Sequence, residues 1–237
     1  MKLNHTLAEI TGNWEWLGEW IYFISIFGEP HATEPWGWQL DGHHLNISYF
    51  VLGDQVVLSP GFWGAEPTHA DRGVHQGLRM FEEEERSGLE LINALDPGQR
   101  GKAILKVSKT GNEVLTEAWR DNVVLDYAGL NAKDMSTAQR QQLLDLVALY
   151  VDNMAEGHAR VKMNDVRKHL DRTWFAWMGG TGANEVFYYR IHSPVVLIEF
   201  DSLAAAENAY NSAGYKEALS KLTPGAVVRD MRFVEGV

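Results

Sequence analysis

The chain is predicted to be an α+β protein, a mainly antiparallel sheet with packed helices. Two features predict this: two pairs of β-rich runs lie near 43–60 and 174–200, each with the pattern of a hairpin, and two helix-periodic stretches lie between them at 77–95 and from 137 onward. The two strand pairs are expected to join one sheet.

Residues 6–24 carry Leu7, Ile10, Trp14, Leu17, Ile21 and Ile24 at helical intervals, interrupted by Gly12 and Gly18, and read as a helix. "WGWQLDGHHLNISYF" then alternates as a strand does, and "HLNISYFVLGDQVVLSPGFWG" holds two β-rich runs around Gly53-Asp54, closed by Pro60-Gly61. His43 and His44 would open the first of these strands. Neighbours on a strand point to opposite faces, so His44, Asn46 and Ser48 would form a polar row along a cleft. His43 would head the row of Leu45, Ile47 and Tyr49 and be held by a hydrogen bond to Glu199.

From Gly77 to Leu95, Leu78, Phe81, Leu89, Ile92 and Leu95 accompany the acidic run "EEEER", an amphipathic helix that Asp96-Pro97-Gly98 would end. "STAQRQQLLDLVALYVDNM" predicts a second helix with Ser136 or Thr137 as its N-cap. The stretch between them is poorly patterned and predicts a short strand and loops; a charged helix follows at 156–170. Thr173–Met178 and Glu185–Phe200 are β-rich runs joined by a glycine-rich turn. Parity places Tyr188, Arg190 and His192 on one face and Phe187, Tyr189 and Ile191 on the other. Pro194 must fall at an edge, bulge or break. Glu199, inside the apolar run "VVLIEF", needs a partner if buried.

With 237 residues, 45% of them hydrophobic, the chain can bury a sizeable core in one large domain with or without a small appended unit. Twenty-one basic residues against 32 acidic ones, net −11, argue against nucleic acid and against an anionic membrane surface. There is no cysteine, so any metal must be held by His, Asp or Glu. No apolar stretch approaches the ~20 residues of a membrane span. A soluble, cytoplasmic protein is expected.

On "WGWQLDGHHL", "GDQVV", "GAEP", the acidic helix, "TWFAWMGG" and "FYYRIHSPVVLIEFD", residues 20–201 resemble the bacterial domain-of-unknown-function family 3500. That family continues into a segment with further histidines that is not seen here. Residues 195–237 instead resemble the second half of the domain-of-unknown-function family 1330, which implies a C-terminal β-α-β unit of ferredoxin-like type and a homodimer. The chain thus reads as a fusion, natural or engineered, of a main domain at 1–201 and an appended helix and strand at 202–237. Half a ferredoxin-like unit cannot close its own core, so the tail must pack on the body or across a dimer.

The chemistry-bearing residues group on the β segments. His43, His44, His192 and Glu199 are the histidine and carboxylate types that hold zinc for hydrolysis or iron for oxidation. Without a metal, His192 beside Arg190 could serve as base and anion clamp, with Glu199 or Glu66 orienting the ring. Trp36, Trp38, Trp63, Trp174 and Trp177 either wall a pocket or pack the core. No HExxH, GxSxG, GxGxxG or phosphate loop is present. The expectation is an enzyme, a metal-dependent hydrolase or an oxidoreductase, acting on a small carboxylate-bearing or aromatic molecule. Its catalytic residues would be His192, Arg190 and Glu199, with Trp36, Trp38, Asn46, Glu66 and Tyr188 binding substrate. The alternative is a non-catalytic binding or dimerisation protein with structural histidines.

Overall fold

The computed structural model describes residues 1–18, 20–65, 67–109, 113–116 and 123–202. The tail at 203–237 and Glu66 therefore lie outside the described residues. The fold is α+β and mainly antiparallel, but the two strand groups form separate sheets, not one.

The helix expected over 6–24 breaks at both of its glycines. α1 (Lys2–Thr11) ends where Gly12 turns left-handed at φ 72 and donates its N–H to Ala8 O. A single turn, α2 (Trp14–Leu17), follows behind an Asn13 side-chain cap. The rest of the apolar stretch is strand: β1 (Phe23–Phe27) pairs antiparallel with β2 (Trp36–Gly42), β2 with β3 (Leu45–Leu52), and β3 with β4 (Gln55–Trp63). The Gly53-Asp54 turn is as the sequence predicts. The histidines are not: Gly42 faces Leu45 across the ladder, so His43 and His44 form the β2–β3 turn and do not open β3. His44 sits at φ 57, a left-handed conformation that few residues other than glycine adopt. Pro60 does not close its strand; β4 runs on to Trp63, with a bulge where Ile47 faces Gly61 and Tyr49 faces Leu58.

α3 (Glu82–Ala94) begins later than the periodicity suggests. Asp96-Pro97-Gly98 starts a helix rather than simply ending one. The Asp96 carboxylate accepts from Gly98 N and Gln99 N at 2.8 and 2.9 Å, Gln99 returns a contact to Asp96 N, and Pro97 opens α4 (Pro97–Ala103). α5 (Thr137–Val151) has its cap at Ser136, boxed with Gln139, and α6 (Glu156–Lys168) follows.

The second sheet has the order β5 (Ile104–Lys106), β7 (Trp174–Gly179), β8 (Phe187–His192), β9 (Leu197–Asp201), with β6 (Leu130–Asn131) also on β7. β5 is parallel to β7 and the other pairs are antiparallel. Pro194 lies in the β8–β9 turn, where no ladder hydrogen bond is asked of it. Phe175, Trp177, Phe187, Tyr189 and Ile191 on one face join Leu91 and Ile92 of α3, Leu143, Leu146 and Val147 of α5 and Val166 of α6 in the main core. Helix α3 lies so close to β8 that a Cβ on Gly88 would stand 2.6 Å from the Tyr189 ring.

Candidate functional site

The face of β7–β9 turned away from this core carries the polar residues. The ladder sets Arg190 opposite Glu199, His192 opposite Leu197 and Trp174, and Tyr188 opposite Asp201. Tyr188, Arg190, His192 and Glu199 therefore share one surface, as strand parity predicts. Described parts of the β5–β6 connection cover it. Lys109 pairs with Asp201 at 2.6 Å, both side chains buried. Leu115 and Thr116 lie on Glu199, and Tyr127 stacks on Trp174 with centroids 4.1 Å apart and meets the His192 ring at 4.5 Å.

Glu199 finds its partners here and not at His43. Its carboxylate accepts from Leu115 N at 3.0 Å, Thr116 N at 2.9 Å, Thr116 Oγ1 at 2.6 Å and the Tyr188 hydroxyl. Burial, reinforced by this carboxylate, pushes the Tyr188 phenol far above its usual range, so it stays protonated and donates. The pair clamps the covering segment to the sheet.

Arg190 is different. It is only 5% exposed, and among the described residues its Nε has no acceptor. A buried guanidinium N–H without a partner is costly, and a carboxylate is an acceptor that satisfies one strongly. His192 is held below its ordinary range, first by burial and then by Arg190, against weaker opposing effects of Glu199 and the Asp126 backbone. Both causes favour its neutral form, and its Nδ1 has no hydrogen-bond partner among the described residues. A cation and an imidazole with a depressed pKa two positions apart on one strand, beside a Trp-Tyr stack, can hold an anion and exchange a proton with what it carries.

The other predicted residues lie on the first sheet. His43 Nδ1 donates to Asn4 Oδ1, its carbonyl accepts from the Tyr22 hydroxyl at 3.2 Å, and its ring meets that of His44 at 4.1 Å. Asn46 donates to Asp41 beside it. Trp36 and Trp38 line a shallow hollow of about 410 Å³ with Tyr49, Phe50 and Phe27. His43 and His44 thus do not share a strand pair with His192 and Glu199, and among the described residues no three His, Asp or Glu side chains converge as a metal site.

Sequence reasoning missed Tyr127, which sits in a stretch without periodicity, and the grouping of Asn4 with His43 and of His5 with His75, whose rings lie 5.1 Å apart. Those contacts join residues far apart in the chain, and no local pattern announces them. Trp177, offered as a pocket wall, is fully buried in the core with Nε1 donating to Gly180 O at 3.0 Å.

Among the described residues no helix is long and apolar enough to cross a membrane. No curated protein and no solved structure matches the chain. The family described as a protein of unknown function (DUF3500) matches residues 1–214, a span that takes in the histidine turn and the whole Tyr188–Glu199 face, and the chain belongs to that family.

Proposed function

We propose that the Arg190–His192 face binds a small carboxylate-bearing molecule, with an aromatic part set against Trp174 and Tyr127, and acts on it by acid/base chemistry. The observation that carries the reading is the buried Arg190 whose Nε has no acceptor among the described residues, next to an imidazole whose pKa is held down. Arg190 would take the carboxylate, and His192 would accept a proton from the bound molecule. Glu199, tied up by Tyr188 and the 115–116 backbone, would position the covering segment and not touch substrate. A non-catalytic binding site is the other form of the same reading, and turnover separates the two. Zinc or iron is tested by metal analysis of the purified protein: stoichiometric metal would shift the reading toward a metal-dependent hydrolase or oxidoreductase. The likeness of 195–237 to the family 1330 pattern enters as a second part of the proposal, an appended unit beyond the site.

The experiment is an NMR titration of the imidazole protons with aliphatic and aromatic carboxylates, benzoate among them. Binding beside Arg190 neutralises the charge that depresses His192, so the His192 pKa should rise on saturation. Arg190→Gln should abolish that rise. If no carboxylate in the series moves the His192 resonances, the proposal fails.

A further inference from the structure

We infer that β1 is a self-pairing edge, which joins antiparallel to β1 of a second copy of this chain about a two-fold axis through Ser25. This goes beyond the proposed chemistry and rests on different residues. The strand reads Phe-Ile-Ser-Ile-Phe, the same in both directions, and all five residues are exposed. Two antiparallel copies centred on Ser25 would set each Phe23 opposite a Phe27 and each Ile24 opposite an Ile26, so these pairs occur twice and Ser25 meets its own copy on the axis, as an isologous contact requires.

The sheet itself argues that the edge is meant to be covered. Its order is β1-β2-β3-β4, which leaves β1 and β4 as edges. β4 is blunted by the bulge and by Pro60, two of the devices that stop edge pairing. β1 has neither, nor any charged residue. None of the residues of β1–β4 belongs to either buried core cluster among the described residues. Phe23, Ile24, Ile26 and Phe27 are 65, 70, 62 and 57% exposed. Edge pairing would shield part of this apolar surface against the facing Phe and Ile side chains of the second copy and would satisfy the open backbone edge with a new ladder. The register also continues the sheet's own rows: Ile24 already neighbours Leu40, and Ile26 neighbours Trp38. Pairing would carry an apolar row from Leu40 through Ile24 of one copy to Ile26 and Trp38 of the other.

The test uses the full chain. Sedimentation equilibrium should find a dimer of the 26.7 kDa protein. The chain has no cysteine, so Ser25→Cys creates a single thiol. Directly opposed Cα atoms lie ~4.5–5.5 Å apart, within disulfide range, and mild oxidation should give a covalent dimer. Val124→Cys, at a 96% exposed position elsewhere, should not. Ile24→Lys/Ile26→Lys sets like charges opposite each other and should weaken the dimer on the order of 100-fold. Ile24→Lys/Ile26→Glu sets each introduced lysine opposite an introduced glutamate and should recover much of the loss. Ser25→Cys, the mildest change, decides the matter if a charged variant does not fold. A monomeric parent that Ser25→Cys fails to cross-link overturns the inference. So does a dimer that survives the double lysine and is lost when residues 203–237 are removed, because that assigns the contact to the tail.

Discussion

β1 and β8 invert the usual relation between composition and burial. Phe-Ile-Ser-Ile-Phe is nearly all apolar and wholly exposed, whereas Phe-Tyr-Tyr-Arg-Ile-His carries a cation and an imidazole and is mostly buried. The difference lies in what covers each sheet. β8 has helices on one face and the β5–β6 connection on the other, so its polar side chains had to find partners or keep an unmet demand. β1 stands at the rim of a four-stranded meander that no core cluster among the described residues reaches. Each inversion carries one of the two proposals: the exposed apolar strand the pairing with a second copy, and the buried Nε without an acceptor among the described residues the anion site.

The largest expected effect separates the two sheets by stability. Trp177→Ala empties a fully buried position and should cost about 3–5 kcal/mol. Trp38→Ala removes an indole stacked on Tyr49 in the half-exposed sheet and should cost about 1 kcal/mol. Urea denaturation of both variants checks this. Equal losses would mean that the first sheet has a core of its own and that the comparison fails.

A smaller change in stability with a large change in binding is expected at Arg190. Arg190→Met replaces a buried cation whose Nε has no acceptor among the described residues with an apolar chain of similar length, so the fold should stay within about 1 kcal/mol of the parent or become more stable. Carboxylate binding should be lost. A variant destabilised by several kcal/mol would show that Arg190 is structural, satisfied by the protein itself, and would remove the anion site.

How much of this was legible follows the same division. Parity along Tyr188-Arg190-His192 needs only that the segment be a strand, and it placed the three on one face correctly. The demand that Glu199 have a partner was also legible, since a carboxylate in an apolar run has few options. Which partner was not, because Leu115 and Thr116 come from a stretch without a pattern. His43 and His44 were misplaced because the alternation of 36–50 continues through them. Only the pairing of Gly42 with Leu45 reveals that they turn the chain instead of extending it. The single sheet expected from two strand pairs became two for a similar reason: local sequence marks strands, while their assignment to sheets depends on distant contacts.

The smallest effect is a pH dependence carried by His192 on the covered face. Burial and Arg190 hold the folded His192 pKa below the ordinary 6.5 of the unfolded chain. Between those two values the unfolded chain binds the proton and the folded one resists it, so stability rises with pH across that window. The contribution is fully present above about 6.5 and is lost as the pH falls through the lowered folded value. Thermal melts of the parent from pH 7.5 downward should therefore show a loss below about 6.5 that His192→Gln, which cannot titrate, reduces. Saturating carboxylate should act on the slope as well, because an anion on Arg190 removes one of the two causes of the depression and brings the folded and unfolded pKa values together. An unchanged slope in His192→Gln would mean that the imidazole is solvated in the folded protein. The buried Arg190 would then be left without the base that turns a binding site into a reactive one.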